Sequence, residues 1–208
     1  MSKRIAVLVS GGGTNLQALI DAQGRGELGG GEIAAVISSK AGAYALERAA
    51  KAGIPGYVLP RKEFDSNQAM TLALVEKLKE LEIDLVVLAG CMIIFTQELV
   101  DAFPNAIMNV HPALIPSFCG AGFYGLRVHE KALEYGVKLS GATVHFVSEE
   151  CDGGPIIAQK SVEVRPDDTP EVLQKRIMEQ AEWILLPQAV KAFCEDRITV
   201  EGRTVIIG

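Results

Sequence analysis

Short apolar runs alternate with amphipathic stretches along the first half of this chain. Residues 5–9, 33–37 and 85–89 are apolar almost without interruption and have strand length. Runs without polar alternation suit strands covered on both faces. Between them, 15–23, 43–52 and 66–81 have helical character; in the third, Met70, Leu74, Leu78 and Leu81 recur at helical spacing. Gly53 and Pro55 end the second of these helices. A short helix over 97–102 and a strand over 106–109 complete the half. This order predicts an α/β fold, a doubly wound, Rossmann-like and mostly parallel sheet with ligands beyond the carboxyl ends of its strands.

The second half has a mixed character. A helix over about 126–135 precedes two strand-like runs, 141–147 and 156–164. A long helix starts at Thr169-Pro170, which supply a capping hydroxyl and a proline at the first helical position. Its stripe is Leu173, Ile177, Ala181 and Ile184, and Pro187 should kink or interrupt it. The segment 198–206 reads as a hairpin turning at Glu201-Gly202. The glycine-rich segment 24–31 reads as a mobile surface loop. With no repeat and no long linker, 1–208 is expected to form one domain.

Composition narrows the function. The chain is 49% hydrophobic and 22% charged, with a formal net charge of -6. That balance argues against a nucleic-acid partner, which normally meets a basic face. The apolar run after Met1-Ser2-Lys3-Arg4 is too short for a signal peptide or membrane span, so no membrane partner is expected. Cys91, Cys119, Cys151 and Cys194 are scattered without CxxC spacing, the pattern of reduced thiols in a cytoplasm. His111, His129 and His145 share no ligand spacing with them, so no metal is expected. Cys119 and Cys151 flank the candidate site, yet no basic neighbour is evident to activate either thiol.

The chemistry concentrates in Asn109-Val110-His111-Pro112 and, farther on, Cys151-Asp152-Gly153-Gly154-Pro155. Residues i and i+2 of an extended chain point the same way, so Asn109 and His111 converge while Val110 faces the core. Pro112 and Pro116 stiffen the adjoining loop. An amide donor, an imidazole and a carboxylate suit acyl transfer. A second candidate is Ser10-Gly11-Gly12-Gly13-Thr14-Asn15, between the first strand and first helix. Glycines expose backbone N–H groups there, and the helix end adds partial positive charge, as a phosphate cradle needs. No Gly-Lys-Ser/Thr motif is present, Leu16 replaces the third glycine of a dinucleotide fingerprint, and Ser38-Ser39-Lys40 lacks an acidic ribose ligand. A monophosphate fits better than a dinucleotide; a tight turn without a ligand is the alternative.

The joint pattern Asn-x-His-Pro-x-Leu-x-Pro, Gly141-x-Thr143-Val144-His145 and Asp152-Gly-Gly-Pro155-Ile-Ile resembles the phosphoribosylglycinamide formyltransferases of purine synthesis, from Ile5 to about Val190. The resemblance implies formyl transfer from 10-formyltetrahydrofolate, a co-substrate, to the amino group of glycinamide ribonucleotide. Catalysis would fall to Asn109 as oxyanion donor, His111 as proton donor and Asp152, which would favour a charged imidazole. Gly13, Thr14 and Asn15 would hold the phosphate, with Glu179 and above all Glu182 near the ribose and glycinamide. The folate would lie against Met92, Ile93, Ile94 and Phe95, with Asn109 and the loop Ser148, Glu149, Glu150, Cys151 and Asp152. Phe118 and Gly120 would shape the cleft.

Relatives often carry a cation where Ile93 stands, and an arginine that reaches the folate where Asn67 stands. Ile93 is therefore expected to act through its backbone, and contact with the folate's glutamate tail depends on other residues. His145 is expected to be a buried, hydrogen-bonded structural histidine, and His129 an ordinary helix residue. The single formyltransferase domain would comprise a phosphate-binding lobe over about 1–105 and a folate and catalytic lobe over about 106–208, in a monomer or homodimer. Formylation of methionyl-tRNA would call for a further C-terminal domain and a basic face, and 10-formyltetrahydrofolate hydrolysis for an extra N-terminal domain. A non-catalytic folate- or nucleotide-binding protein would not need Asn109, His111 and Asp152 together.

Overall fold

In the computed structural model, which describes residues 2–208, side chains of β1 (Arg4–Val9) alternate between two cores. Ile5, Val7 and Val9 enter one; Ala6 and Leu8 enter the other. This is the two-sided burial that an unbroken apolar run demands. The first core is closed by α1 (Thr14–Gly24), α2 (Tyr44–Lys51), α6 (Pro170–Ile177) and α7 (Trp183–Cys194). The second lies under α3 (Asn67–Glu80) and α4 (Gln97–Ala102), through Leu74, Leu78 and Leu99. Each fully buried leucine contributes about 2 kcal/mol of apolar transfer, so both faces hold the sheet.

The remaining strands of the main sheet are β2 (Glu32–Ser38), β3 (Gly56–Val58), β4 (Leu85–Leu88), β5 (Ile107–His111), β6 (Leu139–Phe146) and β7 (Ile156–Glu163). They form a seven-stranded sheet in the order β3-β2-β1-β4-β5-β6-β7. Pairing is parallel from β3 to β5, and antiparallel where β6 joins β5 and β7 joins β6. The chain winds outward from β1 in both directions, opening a crevice at the carboxyl ends of β1 and β4. α5 (Leu126–Tyr135) connects β5 to β6, and β8 (Ile198–Glu201) pairs with β9 (Thr204–Ile207) in the expected terminal hairpin. Among the described residues, no helix is long and apolar enough to cross a membrane.

Some expectations need correction. β3 and a 3-10 turn, Arg61–Glu63, carry no sequence pattern because they are short and only partly buried. β5 runs on to His111, two residues past its expected end, because its pairing with β6 continues to Thr143. Pro187 does not break its helix; α7 continues through it to Cys194. The irregularity is a π-helical turn, Met178–Glu182, where the N–H of Trp183 reaches back to Met178 O. It sits directly ahead of the turn in which the proline ring must be accommodated. One extra residue in that turn rotates the rest of the helix about its axis. Leu173, Ile177 and Ala181 are buried as expected, but Ile184 is 37% exposed and Leu185 and Leu186 turn inward.

The segment 24–31 is a largely exposed surface stretch anchored to the core at Leu28 and Gly31. Leu28 is buried, and a Cβ added to Gly31 would lie 2.5 Å from Cys194 Sγ and 2.9 Å from Ile5 Cδ1. Glycine is required there by close approach to the core.

Candidate active site

Asn109 and His111 project from the carboxyl end of β5, facing β6 across an antiparallel ladder. The register pairs Asn109 with His145 and His111 with Thr143. Asn109 Nδ2 lies 3.1 Å from His145 Nε2 and 3.4 Å from Asp152 Oδ1. His145 Nδ1 is 2.8 Å from the carbonyl of Phe146. A carbonyl only accepts, so Nδ1 carries a proton and donates to it, while Nε2 faces the Asn109 amide. His145 is buried and hydrogen-bonded as expected, and it also fixes which way the Asn109 amide faces.

His111 Nε2 lies 2.8 Å from the carbonyl of Phe118, so that nitrogen holds a proton; Nδ1 stands 3.6 Å from Asp152 Oδ2. The same carboxylate oxygen accepts from Gly120 N–H at 2.9 Å. Phe118 and Asp152 both have positive φ, 51° and 55°, a backbone shape sparsely adopted by non-glycine residues. Phe118 and Gly120 thus hold His111 and Asp152 by their main chain.

Asp152 favours the charged form of the His111 imidazole, but burial acts against it. Burial pushes His111 below its ordinary pKa, and the opposing pull of Asp152 and the Phe118 carbonyl does not overcome it. Asp152 itself is raised by burial, but the neighbouring His145 and His111 imidazoles and the Gly120 N–H outweigh that and hold it below the usual carboxylate range. Burial raises both Cys119 and Cys151, and Asp152 raises them further, so neither is an activated thiol.

The loop after His111 is stapled by Thr143, which the Gly141-x-Thr143-Val144-His145 run contains without a role, and by Gln159, which carried no motif signal. Thr143 Oγ1 donates to Ala113 O at 2.7 Å and accepts from Ile115 N–H at 3.1 Å and Gln159 Nε2 at 3.0 Å. Gln159 Nε2 also donates to Ile115 O at 2.9 Å. Sequence reading could have reached Thr143 by pairing it across the sheet from His111; for Gln159 there was no such cue.

At the sheet's switch point the glycine loop enters α1 through Gly13, at φ 71°. Asn15 Nδ2 donates to Glu182 Oε2 at 2.6 Å, across from the π turn. Burial raises the Glu182 carboxyl to about 7, against the lowering effect of Asn15. Asn15 Oδ1 is buried without a hydrogen-bond partner, leaving an acceptor beside Glu182 for a ligand's hydroxyl or amine. Thr14 Oγ1 lies 3.7 Å from Met178 Sδ. Glu179 is not drawn into this group: it is exposed and 3.8 Å from Lys175 Nζ. The reason is the π turn, which places Glu182 inward and Glu179 on the outer face.

Met92 and Ile94 are exposed, 54% and 69%, at the mouth of the crevice. Ile93 and Phe95 instead line a void of about 10 Å³ between the sheet and α3. The Ile93 side chain is thus turned toward the sheet and α3. Ser10 Oγ accepts from the Met92 N–H and from Ser39 Oγ, both at 2.9 Å, tying this loop to the glycine loop. Asn67 accepts from Arg61 Nε, so a guanidinium from the 3-10 turn stands beside the position that lacks a cation. Ser148 donates to Glu150 O at 3.2 Å; Glu149, Glu150 and Cys151 are exposed in the loop before Asp152.

His129 is not an ordinary helix residue. It is fully buried in α5, neither ring nitrogen has a hydrogen-bond partner, and burial, with the nearby His111, lowers it to about 4. Among the described residues, no group of three or more His, Cys, Asp or Glu is arranged to hold a metal ion.

Comparison with known proteins is decisive about ancestry. The formyl transferase family model matches residues 3–190. A phosphoribosylglycinamide formyltransferase of Haemophilus influenzae is 44% identical over 199 residues, covering 96% of this chain and 91% of the relative. The chain belongs to the phosphoribosylglycinamide formyltransferase family. A chloroplastic phosphoribosylglycinamide formyltransferase of Arabidopsis thaliana is 41% identical over 94% of this chain and 67% of its own length. The crystal structure of glycinamide ribonucleotide transformylase 1 from Symbiobacterium toebii superimposes with a TM-score of 0.93 at 44% identity, over 99% of this chain and 94% of that one. The formyltransferase fold is thus shared almost end to end, mixed sheet included.

Proposed function

We propose that the crevice between the glycine loop and the end of β5 is where this phosphoribosylglycinamide formyltransferase moves the formyl group of 10-formyltetrahydrofolate onto the amine of glycinamide ribonucleotide, a step of purine synthesis. The observation that carries the assignment of the site is the convergence of Asn109, His111 and Asp152 within hydrogen-bonding or ion-pair reach, beside the glycine loop. The substrate's amine is the nucleophile, so the enzyme needs no covalent intermediate. As the C–N bond forms, the formyl oxygen becomes an oxyanion, and Asn109 donates to it. His111 holds its proton on Nε2, and the oxyanion, a stronger acceptor than a carbonyl, competes with Phe118 O for it. Asp152 stabilises the imidazolium that forms if a second proton arrives at Nδ1. The proton lost by the amine balances the one gained by the departing folate nitrogen.

Gly13, Thr14 and Asn15 hold the phosphate, and Glu182 with Asn15 takes the ribose or glycinamide side; Glu179 is at most an outer contact. Met92, Ile93, Ile94, Phe95 and the 148–152 loop hold the pterin, and Arg61 beside Asn67 meets the acidic tail. The lobes do not divide cleanly by substrate, since the loop at 92–95 comes from the first half and Glu182 from the second. All these residues come from one chain, so a monomer or a homodimer serves equally. Unpaired cysteines support a cytoplasmic setting.

A coupled assay with both substrates tests the reading. Formylated product should appear only when glycinamide ribonucleotide is present. Formate release without the acceptor would point to hydrolysis, and binding without turnover to a binding protein. Near-normal turnover by His111→Ala would remove the catalytic assignment.

A further inference from the structure

We propose that Arg48 is a positioning residue that presents the glycine loop to the substrate's phosphate from behind; the proposal rests on reading Gly13–Asn15 as the phosphate site. Two successive carbonyls of the loop are pinned to α2. Gly11 O accepts from Ala45 N–H at 3.1 Å, and Gly12 O accepts from Arg48 Nε at 2.8 Å. In a planar trans peptide the C=O and the following N–H point in opposite directions. Fixing these carbonyls toward α2 therefore turns the N–H groups of Gly12 and Gly13 away from it. The next carbonyl, Gly13 O, accepts the first bond of α1 from Gln17 N–H at 2.9 Å. The result is a run of donors on one side of the loop, the concave arrangement that receives an anion.

Packing supports the same orientation. A Cβ on Gly13 would stand 2.6 Å from Ala45 Cβ, so α2 lies directly against that side of the loop. A Cβ on Gly11 or Gly12 would meet nothing within 4 Å, so the other side is open to a ligand. Arg48 is held in turn by Gln17 Oε1, 2.9 Å from Nη1, and by the Tyr44 ring, 5.0 Å from its guanidinium carbon. None of the ion pairs within 4 Å among the described residues involves Arg48, so no carboxylate cancels its charge. The guanidinium thus adds a full positive charge to the partial charge of the α1 N-terminus. Lysine could supply the charge but not two donors in a planar fork.

The test uses Arg48→Met, Arg48→Lys and Gln17→Leu in the full chain, with ribose 5-phosphate binding measured by calorimetry beside steady-state kinetics. Arg48→Met should weaken ribose 5-phosphate binding and raise the KM for glycinamide ribonucleotide by the same factor, on the order of ten- to a hundredfold. The folate KM should stay within about twofold and kcat within about threefold, because this contact is made equally in ground and transition states. Arg48→Lys should recover part of the loss, and Gln17→Leu, which frees one end of the guanidinium, should lose less than Arg48→Met. Unchanged ribose 5-phosphate binding in Arg48→Met would overturn the proposal. So would parallel losses for both substrates with a lowered unfolding temperature, the mark of a purely structural role. Failure of the wild-type chain to bind ribose 5-phosphate would instead remove the phosphate reading beneath it.

Discussion

Asp152 holds three groups at once: the Gly120 N–H, the His111 ring and the Asn109–His145 pair. Its charge and its hydrogen bonds are separable by Asp152→Asn, which keeps the shape and one accepting oxygen. Asp152 raises the His111 pKa against the effect of burial. Removing the charge should therefore move His111 still further below its ordinary value, so that it stays neutral to lower pH. An imidazole titration by NMR checks the direction; an unchanged or raised His111 pKa would contradict it. Turnover should fall on the order of a hundred- to ten-thousandfold, the range for losing a positioned acid–base partner. A second expectation at this scale concerns the staple. Thr143→Val removes the hydroxyl that meets Ala113, Ile115 and Gln159 and leaves the carbonyl of buried Ala113 short of a partner. It should cost about 1–3 kcal/mol in urea unfolding and lower kcat, because the loop from Pro112 onward carries the Phe118 carbonyl to His111.

Helix register shows how far local pattern reaches. The apolar stripe 173, 177, 181 identified the long helix, but continuing it to Ile184 assumed a regular α-helix. The π turn inserts one residue, which no periodicity of this length reveals, and the inward face passes to Leu185 and Leu186. Ile184→Lys should therefore change stability by less than about 0.5 kcal/mol, while Leu186→Ala should cost about 2–5 kcal/mol. Comparable losses from both would mean the stripe runs straight and the π turn is absent. The same turn decides the site, because it sets Glu182 on Asn15 and leaves Glu179 outside. By contrast, Asn109 and His111 were legible because strand alternation acts locally, and Asp152 because the joint motif contains it. The roles of Arg48, Thr143 and Gln159 were not, since each acts on a loop distant in sequence, 36, 30 and 44 residues away along the chain. His129 was misjudged for the related reason that burial is set by the packing of whole elements.

At the scale of the molecule, two buried groups on different elements oppose one another in their response to pH. Glu182, raised by burial to about 7 from 4.5, binds more protons folded than unfolded between those values. Its contribution to stability is present below pH 4.5 and lost as pH rises toward 7. His129, lowered by burial to about 4 from 6.5, binds fewer protons folded than unfolded. Its contribution is full above pH 6.5 and lost as pH falls toward 4. Each shift corresponds to about 3 kcal/mol across its window. Over pH 4.5–6.5 the two slopes run against each other, and His111, also held down by burial, adds to the side of His129. The wild-type slope should then lie between those of two variants. His129→Leu leaves Glu182 unopposed except by His111, and its stability should change least favourably as pH rises. Glu182→Gln leaves the histidines unopposed, and its stability should climb most steeply over the same interval. Urea unfolding of the three proteins at pH 4.5, 5.5 and 6.5 measures the slopes. Parallel lines for all three would show that neither group is desolvated in the folded chain. A wild-type slope outside the interval set by the variants would show that Glu182 or His129 responds to pH in the opposite sense.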